Sequence, residues 1–315
     1  MSGNFRMFRA ALWAAALVMG TSATARAGVL SDFNLIALGD VTGTSEVEGR
    51  SLVFGDVVGS AKNFAILPAA VASSPTTPGV GAGDALVVGG QVLATSNVNH
   101  GGVRVRGADG GAAINNADFV TFNDAGVDAV LTRAAAEISQ ADAYFAGLTA
   151  DSSVDLSDFN QAIFTSTPGA DGVAVFDIDA SFFGRNGTFD LRGDTSADLF
   201  VIRVGGSTSL TSGNALNVFA NEFGQDAFQS RIVWDFSALT GQLNLVNGLG
   251  GSVFAPGADL TFGSPLEGTV VARNVNLASE VHLPTSVVPE PAAGLVAFTT
   301  AAPLLLRRRR GAAVN

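Results

Sequence analysis

Short apolar runs that end at glycine dominate the hydrophobic pattern of the first third of the chain. Four of them are 35–38, 51–54, 85–88 and 103–106, each followed at once by glycine. Strands closed by glycine turns at steps of about 16–20 residues are typical of a β-solenoid, in which each coil buries its apolar side on the next. Because the steps are irregular, a β-sandwich with turns every 8–12 residues stays open as the alternative.

The period changes to a helical one between Asp124 and Gly147. Apolar residues recur there every three or four positions: Val127, Val130, Leu131, Ala134, Ile138, Ala141 and Phe145. This spacing is that of one face of an amphipathic helix. Asp124 can cap its N-terminus, Gly147 can end it, and Arg133 and Glu137 form an i,i+4 pair on its polar side. We predict one long helix over 124–147, packed against β-structure.

Strand patterns return after this helix. The candidate runs are 173–178, 188–191, 199–204, 231–236, 243–246, 252–255 and 269–272. They are rich in β-branched and aromatic residues. Residues 68–83 contain three prolines and several small polar residues, and we interpret them as a loop inserted between coils, since the strand pattern resumes afterwards.

The first 27 residues have the pattern of a secretory signal peptide. An apolar core over 10–19 follows two arginines, and Ala25 and Ala27 give the small-x-small cleavage pattern before Gly28. A membrane anchor is the alternative, but a run of about ten residues is half of what a bilayer span requires. We predict cleavage of 1–27 and a mature chain that begins at Gly28.

The last segment, 288–315, combines three signals in order. A Pro-Glu-Pro group comes first, an uncharged stretch over 292–306 follows, and four consecutive arginines come last. Spans usually need about 17–25 apolar residues, so the stretch is marginal, and the arginines would stay on the cytoplasmic side. The residues of this predicted sorting signal are Val288, Pro289, Glu290, Pro291, Arg307, Arg308, Arg309 and Arg310.

Charge and cysteine content exclude several classes. Between Gly28 and Pro291 the chain has 28 acidic and ten basic residues, a formal charge of −18. Such a surface repels nucleic acid and anionic headgroups, so no nucleic-acid partner is expected. The absence of cysteine excludes disulfides and thiolate metal sites. The remaining body of about 260 residues suits one large domain, 28–287.

Candidate catalytic groups are few. The chain has two histidines, His100 in a glycine-flanked turn and His282 near the end of the body, and no G-x-S-x-G motif. Both histidines are interpreted as structural. The glycine-rich stretch Gly79 to Asp84 follows a proline-rich loop and not a strand, so it does not predict a phosphate loop.

Paired carboxylates could in principle support glycosidase chemistry. Asp177 and Asp179 alternate on one predicted strand and would share a face, and three further acids cluster after the helix: Asp151, Asp155 and Asp158. With 28 acids in the chain, chance clusters are expected, so a solvated surface is favoured over weak Ca²⁺ binding or catalysis. No catalytic, cofactor or metal residue is assigned.

Two parts of the sequence resemble known families. The stretch "FNLIALGDVTGTSEVEGRSLVFGDV" (33–57) and the segments "GSVFAPGADLTF" and "EGTVVARNV" within 231–283 resemble the choice-of-anchor A domain. The tail 288–315 resembles the PEP-CTERM sorting signal of Gram-negative bacteria. Those chains are exported and handled at the inner membrane by an exosortase, in organisms that make extracellular polysaccharide.

The choice-of-anchor A domain is similar in layout to ice-binding-like adhesive domains. The resemblance implies a right-handed parallel β-helix with one long α-helix alongside, in which Phe254, Leu260, Phe262 and Val270 stack inward. Ice binding itself is not supported, because a regular Thr-x-Thr ladder is missing. The segment "STSLTSGN" over 207–214 comes nearest and does not recur.

These observations predict a noncatalytic exported protein of the cell surface or extracellular matrix, adhesive or structural in role. An exosortase-type enzyme is its expected sorting partner, the inner membrane its transient attachment through 292–306, and extracellular polysaccharide a candidate ligand. The alternative is a carbohydrate-active enzyme on a β-helix scaffold.

Overall fold

The computed structural model describes residues 28–185, 187–213, 216–217 and 221–283. Within these ranges nearly every strand pairs with its neighbours in parallel, the exception being β11 with β12. The strands before the long helix are β1 Leu35–Ala37, β2 Val41–Gly43, β3 Glu46–Val47, β4 Ser51–Val53, β5 Lys62–Phe64, β6 Asp84–Val88, β7 Ser96–Val98, β8 Gly102–Val105, β9 Ile114–Asn115 and β10 Val120–Thr121.

The strands after the helix are β11 Ser153–Asp155, β12 Gln161–Ser166, β13 Val173–Asp179, β14 Gly187–Gly193, β15 Leu199–Gly205, β16 Leu210–Thr211, β17 Leu216–Asn217, β18 Ile232–Asp235, β19 Gln242–Leu245, β20 Leu249–Gly250, β21 Ser252–Phe262, β22 Leu266–Glu267, β23 Val270–Leu277 and β24 Val281–His282. The α-helices are α1 Val29–Asp32, α2 Pro68–Ala72, α3 Gly126–Gly147 and α4 Asp226–Gln229. Short 3-10 helices span Ala180–Gly184 and Asn221–Gly224.

The parallel strands stack into coils with three faces. The first face has the order β10-β8-β6-β4-β1-β23-β21-β18-β15-β13. The second face contains β16, β19, β2 and the later parts of β21 and β23. The third has the order β20-β22-β24-β3-β5-β7-β9. The prediction of a parallel β-helix is confirmed, and the β-sandwich alternative is wrong because neighbouring strands run in the same direction.

The chain begins and ends in the middle of this stack. Strand β1 lies between β4 and β23, with Leu35 opposite Val270, and β3 pairs with β24 through Val47 and Val281. Residues 28–123, here the N-terminal half, therefore sit on the C-terminal half, residues 150–283. Helix α3 is the segment that joins the two halves.

Helix α3 lies against the outside of the first face. Its 22 residues are about 33 Å long, and its buried residues follow the predicted stripe: Val127, Val130, Ala134, Ile138, Ala141 and Phe145. Asp124 Oδ1 accepts a hydrogen bond from the Gly126 amide at 2.8 Å. At the other end Arg203 donates to the carbonyl oxygens of Phe145 and Leu148, at 3.3 and 2.7 Å. The cation thus stabilises the helix C-terminus.

Strands of the first face are buried on both sides, because coil interior and helix cover them in turn. Leu260, Phe262 and Val270 face the interior, as predicted. Phe254 does not: it packs against the helix, with its ring 5.1 Å from that of Phe145 in an edge-to-face contact. The prediction for Phe254 is wrong because a run that is apolar on both sides does not show which residues point inward.

The repeated Gly-Asp pairs form a corner of the coils. Asp40 Oδ1 accepts the Asp56 amide at 2.8 Å, and Asp56 Oδ1 accepts the Gln91 amide at 2.6 Å. A Cβ added to Gly55 would lie 2.2 Å from Asp40 Oδ1, and one added to Gly90 would lie 2.0 Å from Asp56 Oδ1. Glycine precedes each corner residue because the carboxylate of the coil below occupies the space of a side chain.

The segment 68–83 contains α2 and is otherwise irregular. The buried Arg50 guanidinium holds it by donating to the carbonyl oxygens of Val71, Ser73 and Ala82. Asp32 accepts from the amides of Thr76 and Thr77. This insertion is therefore fixed to the coils at several points.

Candidate functional site

A column of small uncharged polar side chains follows the second face. Strand pairing places Thr211 opposite Asn244, Asn244 opposite Thr261, Thr261 opposite Asn276, and Asn276 opposite Thr42. We name these five residues the Thr–Asn column. Because neighbouring strands lie about 4.8 Å apart, the column covers about 19 Å. Thr211 is exposed and the other four are partly exposed.

The column projects from strands whose other side forms the core. Leu243, Leu260 and Val275 alternate with its members and are buried at 0–1% exposure. Period-two alternation therefore points every column member outward from a rigid support. Threonine and asparagine offer hydroxyl and amide groups, which can both donate and accept hydrogen bonds.

A second row, nearer the corner, is polar but occupied by its own contacts. Asp259 forms two bonds with Arg273, at 2.7 and 2.6 Å, and accepts one from Asn274 at 2.7 Å. The hydrogen bond from Arg273 holds the pKa of Asp259 below its ordinary value. Gln242 lies opposite Asp259 and donates to its carbonyl oxygen at 2.9 Å. These groups are fixed, and they flank the neutral column with paired charges.

The third face has an asparagine ladder. Asn115 donates to Asn97 at 2.9 Å, Asn97 to Asn63 at 2.8 Å, and Asn63 to Glu46 at 3.4 Å. Each amide satisfies the one below it, so this ladder joins successive coils and leaves fewer free groups than the Thr–Asn column.

His282 lies on the third face, where the last coil meets the first. Its ring nitrogens contact Glu267 Oε1 at 2.8 Å and Glu280 Oε2 at 2.7 Å. Burial lowers the pKa of His282, but the hydrogen bonds to Glu280 and Glu267 and the charge of Glu48 outweigh it, so the pKa is raised. Among the described residues the ring bonds to carboxylates and to no hydroxyl, so it does not activate a nucleophile. His100 lies in the turn between β7 and β8.

The acids that could have supported catalysis hold local structure. Asp177 and Asp179 both project outward from β13, and Asp177 pairs with Arg203 at 2.7 Å. Asp155 and Asp158 accept from amides two residues ahead, of Ser157 and Asn160. No group of three or more potential metal ligands occurs in the ranges that the structure describes.

A shallow depression of about 450 Å³ lies beside the C-terminus of α3, between 147–151 and 169–175. Two carboxylates line it. Asp151 Oδ1 accepts from the Val175 amide at 2.9 Å and Asp171 Oδ1 from the Val173 amide at 3.2 Å. Both carboxylates attach the surrounding loop to β13, so their contacts are structural.

The predicted terminal signals fall outside the described residues, apart from Gly28. Gly28 is buried, and the next residue, Val29, donates its amide to Glu137 Oε2 at 2.8 Å. The cleavage residues Ala25 and Ala27 and the sorting signal from Val288 to Arg310 remain predictions. No helix within the described ranges is both long and apolar enough to span a membrane.

The Thr–Asn column was missed by sequence analysis. Thr211 belongs to the 207–214 segment, but its neighbours in the column come from other coils. Thr42 and Asn276 are 234 residues apart and meet because the first coil stacks on the last. No local repeat signals such a contact; knowledge of the coil order would have found it.

Comparison with known proteins agrees with this architecture. A glycosylated ice-binding protein from an Arctic yeast, known from its crystal structure, is 13% identical, with a TM-score of 0.32 over 85% of this chain and 96% of that one. No curated protein matches the chain. The family model of the ice-binding-like adhesive domain matches residues 26–283, nearly the whole described region. The chain belongs to the ice-binding-like adhesive domain family.

Proposed function

We propose that the protein is a noncatalytic adhesive protein of the cell surface or extracellular matrix, and that it binds extracellular polysaccharide through the Thr–Asn column. The observation that carries this proposal is the column itself: five uncharged side chains in register on a rigid face. An extended ligand with regularly placed hydroxyl groups can bond to several members at once. Membership of an adhesive family supports the same role.

Charge favours a neutral polysaccharide as the ligand. The body carries a formal charge of −18, which repels acidic polymers at low salt. The column has no charge of its own, and the nearby Asp259 is paired with Arg273. A neutral glycan would meet neither repulsion nor an unpaired charge there.

The terminal signals give the proposed route to this location. Residues 1–27 direct export, and the tail resembling PEP-CTERM is handled by an exosortase at the inner membrane of a Gram-negative bacterium. The resemblance of the body to choice-of-anchor A domains agrees with such a tail. The family match ends at residue 283, five residues before the sorting signal begins, which supports a boundary there.

The binding proposal is tested by co-sedimentation with insoluble neutral and acidic polysaccharides. Thr261→Asp and Thr261→Arg both place a charged, larger side chain in the middle of the column. We expect both variants to bind a neutral glycan at least tenfold more weakly. If the ligand is acidic, Thr261→Arg will bind more tightly and Thr261→Asp more weakly.

Thr165→Asp and Thr165→Arg are the matched controls, because Thr165 is a partly exposed threonine of β12, outside the second face. We expect both to bind like the wild type. Equal binding by all four variants would contradict the assignment to the column. Release of soluble sugar during the assay would favour the enzyme alternative over a noncatalytic role.

The sorting proposal is tested separately by fractionating cells that produce the chain with and without residues 288–315. We expect removal of the tail to shift the protein from the envelope and matrix fractions to the periplasm. An unchanged distribution would contradict the sorting signal and would leave the binding proposal intact.

A further inference from the structure

A stack of parallel strands has two ends, and each end exposes backbone groups and interior side chains. Solenoid proteins usually cover their terminal repeats, since an open strand edge is a template for another chain. The two ends of this molecule differ in this respect.

The end at β13 is capped. The amides of Asp151 and Ser152 donate to the Val175 carbonyl oxygen, and the Gly169 amide donates to that of Val173. Antiparallel strand β11 covers β12 in the same way, through pairs such as Val154 with Phe164. The interior side chains of this end are consequently buried: Phe164 is 0% exposed and Phe176 1%.

The end at β9 and β10 is open. Each is the last strand in its sheet, with no described strand on its outer side. Apolar side chains of this end coil are exposed or only partly buried: Ala112, Ile114, Ala117, Phe119, Val120 and Phe122. We name these six residues the open end.

One column of interior residues measures what the missing cover does. Val120 of β10 pairs with Val103 of β8 and so points into the coil in the same way. Val103, with a coil on either side, is 0% exposed, whereas Val120 is 38% exposed. Phe119, beside it, is 41% exposed. An interior valine left this open lacks its next coil.

The occupant must supply a strand edge and an apolar floor. Among the described residues, the one surface with both is the open end of another copy, because the opposite end is capped. Charge permits this approach: the body is strongly acidic, but the end coil 107–123 has only Asp109 and Asp118. Two copies can meet there with less repulsion than anywhere along the acidic sides.

The tail of the same chain is a less suitable occupant. The last described residue, Leu283, follows β24, and the order β24-β3-β5-β7-β9 puts four strand spacings, about 19 Å, between β24 and the open end. Leu283 is also held in the middle of the stack, where its amide donates to Glu48 Oε2 at 2.8 Å.

We propose that two copies of the protein pair end to end through their open ends. A twofold axis would set the two β10 strands antiparallel, so that each supplies backbone bonds and apolar cover to the other. The capped end stops further addition, so the product is a closed dimer about twice as long as one chain and not a fibre.

The first test is sedimentation velocity of the full exported chain in mild detergent over a wide concentration range. We expect a monomer–dimer equilibrium that Val120→Lys shifts toward monomer by at least tenfold in dissociation constant. Phe159→Lys is the control, because Phe159 is a 53% exposed residue near the capped end. It should leave the equilibrium unchanged. A wild type that stays monomeric throughout, or a dimer that Val120→Lys does not weaken, would overturn the proposal.

A second test does not depend on weakening the fold. Because the chain has no cysteine, Thr121→Cys and Phe159→Cys each introduce a single thiol. We expect a short bismaleimide to link two copies through position 121 and not through position 159. Deleting residues 288–315 should leave the linking unchanged; linking that appears only after the deletion would show that the tail covers the open end instead.

Discussion

The two halves of the stack fill the same kind of coil with different side chains. The N-terminal half is filled mainly with valine, leucine and alanine, whereas the C-terminal half is filled with an aromatic cluster. The rings of that cluster are Phe164, Phe176, Phe182, Phe183, Phe189, Phe223, Phe236 and Trp234.

Coil length explains the difference. Partners in adjacent coils of the N-terminal half are 16 residues apart from Leu35 to Ser51. In the C-terminal half the step from Val173 to Leu199 is 26 residues. Longer coils enclose a wider cross-section, and larger side chains are needed to fill it at normal packing density. Core residue size in a solenoid therefore follows the length of the coil.

The largest expected effect comes from the aromatic cluster. Trp234 is 0% exposed, contacts four rings, and donates its indole N–H to the Gly250 carbonyl oxygen at 2.9 Å. We expect Trp234→Ala to lower the free energy of unfolding by about 3–5 kcal/mol. The matched change in the N-terminal half, Val53→Ala, should cost about 2 kcal/mol, since it removes two methyl groups. Urea unfolding measures both; equal costs would break the comparison.

The next effect concerns the insertion that interrupts the short coils of the N-terminal half. Arg50 is 2% exposed, and its replacement by methionine would leave the carbonyl oxygens of Val71 and Ala82 without their buried donor. We expect Arg50→Met to cost about 3 kcal/mol. Arg106→Met is the control, because Arg106 and its partner Asp128 are both 54% exposed. It should change stability by no more than about 1 kcal/mol.

A smaller effect is expected at the corners. A methyl group at Gly55 would meet Asp40 Oδ1 at 2.2 Å, so Gly55→Ala should cost about 1–3 kcal/mol. Gly205, at the end of β15 in the C-terminal half, has nothing within 4 Å of an added Cβ. Gly205→Ala should therefore be neutral or slightly stabilising in thermal unfolding. A similar loss at both positions would show that backbone entropy, and not stacking of the corner carboxylate, decides the cost.

The smallest effect is a dependence on pH at the junction of the halves. The pKa of His282 is raised above its ordinary value of 6.5 in the folded state. Its contribution to stability is therefore fully present below pH 6.5 and is lost as the pH rises through the folded-state pKa. Unfolding of the wild type and of His282→Gln should differ most at pH 5.5–6.5 and converge at higher pH. A difference that grows with pH would contradict this sign.

Much of the fold follows from local pattern. Three- and four-residue spacing gave helix α3, and the glycine-ended runs gave strands β1, β4 and β6. The Gly-Asp corners could be located because each one repeats within a single coil. Phe254 was assigned to the wrong side because its strand is apolar on both faces.

The order of the coils could not be predicted. Nothing in the residues near Leu35 shows that Val270 will be its neighbour, since each coil end is chemically similar to every other. The Thr–Asn column depends on that order, because Thr42 joins it only through Asn276. The open end is likewise visible only after the last strand of each sheet is known.

The point where the chain leaves the stack also decides how the molecule would bear a load. Tension applied beyond Leu283 would reach β24 and β23 first, and these strands hold the two halves together at the waist of the rod. Peeling that coil would divide the rod in two, with helix α3 as the splint that still bridges the break. Single-molecule pulling from the C-terminus should show this coil detaching as a separate early step, before either half yields.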